Sequence, residues 1–192
     1  MKDFINNENE EFCRICQGEC CKNSGCAFSP RDFRGEITKE RLVKLLNTGI
    51  VSLDWWEGDP NNTSDSSLND TVEKAFFIRI RNFVLDDEDK LAPIIDPSFG
   101  GRCILLTKKG CKLSFENRPL QGQALVPMPR YNKCEIGYSK RDCCIEWLRY
   151  DTLLNEVYLE YCNYDFLGQC LHNRDIEPQE NGIDNLISIL EG

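Results

Sequence analysis

Five cysteines fall within fourteen residues near the start of the chain, at Cys13, Cys16, Cys20, Cys21 and Cys26. That is too dense for ordinary core packing. The two-residue spacing of Cys13 and Cys16 lets both thiolates turn onto one ion through a tight knuckle. Cys20 and Cys21 are adjacent, so their side chains start in different directions. Two ions, a cluster or an irregular turn accommodates both. Gly18 and Gly25 give the backbone freedom that a loop wrapped closely around an ion needs. Thiolate ligands suit zinc or iron–sulfur chemistry rather than magnesium or calcium. The segment therefore reads as a metal-binding loop. Two other readings remain open. A disulfide framework needs an oxidising compartment, and residues 1–12 contain no apolar signal region, which points to a cytoplasmic protein. A redox-active dithiol is the third reading, although no βαβ pattern surrounds Cys13.

A second group follows at Cys103, Cys111 and Cys134, with no cysteine between Cys26 and Cys103. Residues 101–115 read as a hairpin turning at Lys108-Lys109-Gly110. In a regular ladder Cys111 lies opposite Thr107, about 13 Å along the strand from Cys103 at roughly 3.3 Å per residue. The two thiols then share a face but not an ion, unless the segment is irregular or they serve different sites. If both cysteine groups share one site, metal ties the amino terminus to the middle of the chain and closes a long loop. Cys134 is expected in an irregular stretch containing Gly122, Pro127 and Pro129.

The composition limits the alternatives. The chain has 192 residues, 12 cysteines, one histidine and a formal net charge of −9. That length fits one domain with a real core, read as residues 13–192 after a flexible segment at 1–12. Metal then anchors parts of the fold rather than supplying all of its stability. With His172 alone, two-histidine metalloprotease chemistry is excluded and any zinc site must be nearly all sulfur. The acidic balance argues against nucleic-acid or anionic-membrane partners. A four-thiolate zinc site adds about −2 to that charge.

Several elements must position these cysteines. Ser29-Pro30-Arg31-Asp32 carries a cap, a proline at the first helical position and an acidic residue three after the serine. Thr38 caps a clearer helix with Leu42, Leu45 and Leu46 as its buried stripe and Gly49 beyond its end. Trp55 and Trp56 face opposite ways in an extended segment, one over the core and the other over a pocket or loop. Pro60 to Asp70 reads as a surface loop. Ala75 to Val84 is a strand with Phe76, Ile78 and Ile80 alternating against Phe77, Arg79 and Arg81. The arginines either bind an anion or pair with Asp86, Asp87, Glu88 and Asp89. A long helix is expected from Lys140 to Tyr161, with Trp147, Tyr150, Leu154, Val157 and Tyr161 at helical spacing. Cys143 and Cys144 lie in its first turn, as ligands, a reactive pair or core residues. Cys162, Cys170 and His172 read as packing or surface residues. Ile183, Leu186, Ile187 and Leu190 make an amphipathic tail helix that docks on the body or on a partner. The expected class is α+β: a cysteine-rich metal-binding loop with a small antiparallel sheet and several helices.

The run Cys-x-x-Cys-x-x-x-Cys-Cys at 13–21, then Arg102-Cys103-x-Leu105, Gly110-Cys111 and Arg118-Pro119, resembles the YkgJ-type cysteine-cluster family. That resemblance implies a zinc- or iron-chelating domain of uncharacterised biochemical role. It makes Cys13, Cys16, Cys20, Cys21, Cys103 and Cys111 the core ligands. Such proteins place a Cys-Arg shortly after the Arg-Pro; here the position reads Gly122-Gln123, so either Cys26 or Cys134 replaces the missing ligand or one metal is absent. A weaker similarity to flagellin lysine N-methylases implies an iron–sulfur or thiol-dependent enzyme modifying a protein substrate. Against it, no glycine-rich strand–helix turn is present for a methyl donor, and the Cys-x₃-Cys-x₂-Cys order is reversed. Zinc is the expected cofactor, iron or an iron–sulfur cluster the alternative, and the expected partners are the metal ion and a further protein.

Overall fold

The structure, a computed structural model, describes residue 15 and residues 18–62, 74–97, 101–131, 133–164, 170–173 and 176–192. The first twelve residues, Cys13, Cys16 and most of the expected surface loop after Pro60 lie outside this set. The described residues are α+β with several small antiparallel sheets. The central sheet has three strands, β1 (Ala27–Phe28), β2 (Val51–Glu57) and β3 (Lys74–Ile80), in the order β1-β3-β2. Leu53 pairs with Ile78, and Ala27 with Arg79, fixing the register. Four two-stranded ladders follow: β4 (Phe83–Val84) with β5 (Asp87–Leu91), β6 (Leu106–Thr107) with β7 (Gly110–Cys111), β8 (Leu125–Met128) with β9 (Lys133–Ile136), and β10 (Cys162–Tyr164) with β11 (Cys170–Asn173).

The helices are α1 (Glu19–Lys22), α2 (Lys39–Leu46), α3 (Leu120–Gln123), α4 (Lys140–Trp147), α5 (Asp151–Tyr161) and α6 (Gly182–Glu191). Local sequence explains the starts of α2, α4 and a preceding 3-10 turn. Ser29 and Asp32 form the expected reciprocal cap, on a 3-10 turn at Pro30–Asp32. Thr38 accepts a hydrogen bond from the Arg41 amide at the head of α2. Leu42, Leu45 and Leu46 are buried, and Gly49 takes the left-handed conformation at φ 71° just beyond the helix. Ser139 and Asp142 cap α4 in the same reciprocal way. Alpha6 docks on α2, burying Leu186 and Leu190, so the tail helix packs on the body of the protein itself.

Three expectations need correction. The single helix from Lys140 to Tyr161 is two helices joined by a 3-10 turn at Leu148–Tyr150. Alpha4 packs on β1, β2 and β3, whereas α5 also packs on α2, and one straight rod cannot follow both surfaces. The expected strand to Val84 ends at Ile80, with β4 starting anew at Phe83. Finally, Arg79 and Arg81, expected to bind an anion or to pair with the acidic run at 86–89, are buried with other partners. Arg79 is fully buried and bridges Asp54 (2.7 Å) and Asp96 (2.5 Å). Arg81 donates to the carbonyls of Ala92, Gly49 and Ile176, clamping three loops from within. Beta3 is thus buried on both faces, which alternation by itself does not reveal.

Candidate metal centre

The described members of the two cysteine groups meet in one place. Cys20, Cys21, Cys26, Cys103, Cys111 and Cys134 all line a single cavity of about 80 Å³. Alpha1 supplies the first pair. Gly18 precedes it in the left-handed conformation, and the Cys21 amide donates back to the Gly18 carbonyl at 2.7 Å. The adjacent Sγ atoms of Cys20 and Cys21 lie 3.9 Å apart. Cys26 stands just before β1, where the Ile80 amide donates to its carbonyl at 2.8 Å.

The 101–115 segment resolves the spacing problem by being irregular. Its ladder is only two pairs long, with Cys111 opposite Leu106 rather than Thr107. Ahead of it Cys103 bridges Asn82, accepts from the Leu106 amide and donates its own amide to Cys21. That turn folds Cys103 back, and both thiols reach the same cavity. Cys134 is on β9, not in an irregular loop, and pairs across the ladder with Pro127. Leu125, Pro127 and Cys134 alternate along the β8–β9 ladder and present one face to the cavity.

The rest of the wall is apolar, from Ile80, Leu105, Leu106, Leu113 and Phe115, with the Arg118 guanidinium as its one cationic member among the described residues. Arg118 is anchored through Nε to the Leu113 carbonyl at 3.3 Å and also reaches Cys111. A side chain at residue 122 would enter this space: a Cβ built on Gly122 lies 3.3 Å from Cys26 Sγ. The sequence signal for that contact was only the glycine itself. Lys140 was not singled out by its sequence. Its ammonium donates to Ser24 and is partly buried near Cys26, Asp54 and Arg79, and burial pulls its affinity for protons down.

The thiols differ sharply in acidity. Hydrogen bonds from Cys134 and then Cys21 hold Cys20 far below the ordinary thiol range. Cys21 moves the opposite way, because sharing a proton with Cys20 and Cys26 keeps it protonated. Burial pushes Cys103 up to about 12 and raises Cys111 too. Cys20, exposed on α1, is the one of these four thiols that gives up its proton most readily. Its iodoacetamide alkylation in reduced protein is expected to keep nearly the same rate from about pH 8 to about pH 6, where an ordinary thiol slows roughly 80-fold. Mass spectrometry of the alkylated peptide reads this directly. An ordinary pH dependence at Cys20 refutes the shared-proton arrangement.

Cys143 and Cys144 belong elsewhere. Both are completely buried in the hydrophobic cluster, and Cys143 faces the Ala27 carbonyl at 3.9 Å. Burial raises both thiols, outweighing the favourable dipole of the first helical turn. They are core residues. Cys162 is buried in the same cluster. Trp55 is half-buried and packs against the core through Phe76 and Tyr158.

Among the described residues no three cysteine, histidine or acidic side chains are grouped to hold a metal ion. No described helix is long and apolar enough to cross a membrane. The chain matches no protein-family profile, no curated protein and no solved structure.

Proposed function

We propose that this protein binds a thiophilic metal ion, zinc first and iron or an iron–sulfur cluster second, through the cysteines that converge on this cavity. The supporting observation is the gathering of Cys20, Cys21, Cys26, Cys103, Cys111 and Cys134, from four separate stretches of chain, around about 80 Å³ of space. Cys13 and Cys16 are the remaining two thiols of the proposed set. A cavity of that volume holds only a few water-sized guests at roughly 30 Å³ each, well short of the roughly 300 Å³ that organic ligands need. Metal is the occupant that matches both the size and the donor atoms. Cys26 replaces the ligand absent at Gly122, because its sulfur lies 3.3 Å from where a Cβ at that residue would sit.

The roles of the chain's own groups follow. Cys20 gives up its proton most readily, whereas Cys21, Cys103 and Cys111 are raised and lose theirs as the ion binds, so uptake falls with decreasing pH. Arg118 offsets part of the negative charge that thiolates bring into an apolar wall. A bound zinc would supply cross-linking between α1, β7 and β9 and, with a position left open, Lewis acidity. A saturated four-sulfur site fits a structural or metal-handling role, and an open position fits the enzyme alternative.

Elemental analysis and a visible spectrum on protein purified without oxygen test the reading. One or two zinc ions per chain in colourless protein is the expected result; brown protein with iron and acid-labile sulfide selects the cluster. Cys26→Ser is expected to lower the metal content, whereas the core variant Cys143→Ser leaves it unchanged. Metal-free protein that keeps its free thiols refutes the proposal.

A further inference from the structure

We infer that Cys20 and Cys134 form an intramolecular thiol–disulfide exchange site, with Cys20 as the attacking thiol and Cys134 as the resolving one. Three observations carry this. Cys20 and Cys134 line the same cavity and their side chains are hydrogen-bonded, although they belong to α1 and β9. Cys20 is exposed, while Cys21, Cys26, Cys111 and Cys134 are only half exposed and Cys103 is buried, so a small disulfide in solvent reaches Cys20 first. Alpha1 packs directly on β9, which holds the resolving thiol beside the attacking one.

The reaction consumes one small disulfide such as oxidised glutathione. The Cys20 sulfur attacks one of its sulfurs, the S–S bond breaks, and one glutathione leaves as thiolate and takes a proton from water. Cys134 then gives its proton to solvent and attacks the Cys20 sulfur of the mixed disulfide, expelling the second glutathione as thiol. Two protein thiols are oxidised to one disulfide and one glutathione disulfide is reduced to two thiols. The new bond pins the β8–β9 ladder to α1 at the mouth of the cysteine cavity. It also removes two sulfurs from the proposed ligand set, so oxidation and metal loading exclude each other at these positions. Exchange itself needs no metal, and its test is separate from the metal reading.

Metal-free, fully reduced full-length protein is treated with oxidised glutathione, digested without reduction and mapped by mass spectrometry. The expected product is a cross-linked peptide pair joining Cys20 to Cys134, with little glutathione retained. Cys134→Ser is expected to retain glutathione on Cys20, at least about tenfold above the wild-type chain, because the resolving thiol is gone. Cys20→Ser is expected to abolish the cross-link. A dominant Cys20–Cys21 bond, glutathione persisting on wild-type Cys20, or Cys134 joined to another cysteine overturns the inference. The wild-type map decides the matter even where a variant fails to fold. Metal content measured on the reduced protein reports on the metal proposal independently, so the two can fail separately.

Discussion

Arg79→Met is expected to destabilise the fold by about 3–5 kcal/mol, the cost of removing one member of a buried ion group. Arg79 and Asp54 are both fully buried, and Asp96 nearly so. The guanidinium spends its donors locally: Nε on Asp54, Nη2 on the Asp96 carboxylate and carbonyl, Nη1 on Asn82 and the Ile80 carbonyl. Methionine fills similar volume but leaves two carboxylates in an apolar interior with no cation between them. Burial already raises the Asp54 carboxyl, with Arg79 pulling in the opposite direction. In the variant burial is opposed only by the weaker pull of Lys140 and the Trp55 amide, and the carboxyl rises further. A raised acid binds protons more readily folded than unfolded, so the folded state loses ground as pH climbs through that window. The loss is therefore expected to be greater at about pH 7.5 than at about pH 5. Urea denaturation at both pH values measures it. Equal losses, or a loss near zero, would show that the group is solvated. The triple variant Arg79→Met, Asp54→Asn, Asp96→Asn is expected to recover much of the stability, since it removes the stranded charges too.

Trp147→Ala is expected to cost about 3–5 kcal/mol, the range for deleting a large buried aromatic side chain. Trp147 is fully buried at the end of α4. Its Nε1 donates to the Phe28 carbonyl at 2.7 Å, tying α4 to β1. Phe33 and Tyr150 meet it edge-on, with centroids at 5.6 and 5.5 Å. Alanine deletes the ring contacts and strands a buried carbonyl. Trp147→Phe keeps most of the apolar contact and loses the donor, so its cost should be about 1–3 kcal/mol. Thermal or urea unfolding of both variants separates the two contributions. If phenylalanine costs as much as alanine, the hydrogen bond dominates over ring packing. If neither costs more than about 1 kcal/mol, the assigned core is wrong.

The contrast between these two sites and the cysteine cavity explains how far reading the chain could go. Local patterns were legible wherever the cause was local. Ser29-Pro-Arg-Asp and Thr38 cap their turns because a side-chain oxygen meets an amide two or three residues away, a contact that sequence spacing fixes. The stripe Leu42, Leu45, Leu46 and the tail positions Leu186 and Leu190 are buried as their helical period requires. Of the eight thiols that the cysteine spacings singled out, six line one cavity; the other two, Cys13 and Cys16, lie outside the described residues.

Tertiary structure decided the rest. Whether Cys103 and Cys111 sit 13 Å apart or share a wall depended on how long a ladder survives next to the turn at Cys103, and its anchors are Asn82 and Cys21, far away in sequence. Whether Arg79 meets solvent carboxylates or Asp54 and Asp96 depended on which strands flank β3. Whether Cys143 and Cys144 are thiolates or core depended on what covers α4, since burial overrides the helix dipole. By itself the sequence determined residue types, their periods and their caps, all set within a few bonds. Only the folded chain determined register, burial and the meeting of distant sulfurs, because those arise from surfaces brought together across the whole molecule.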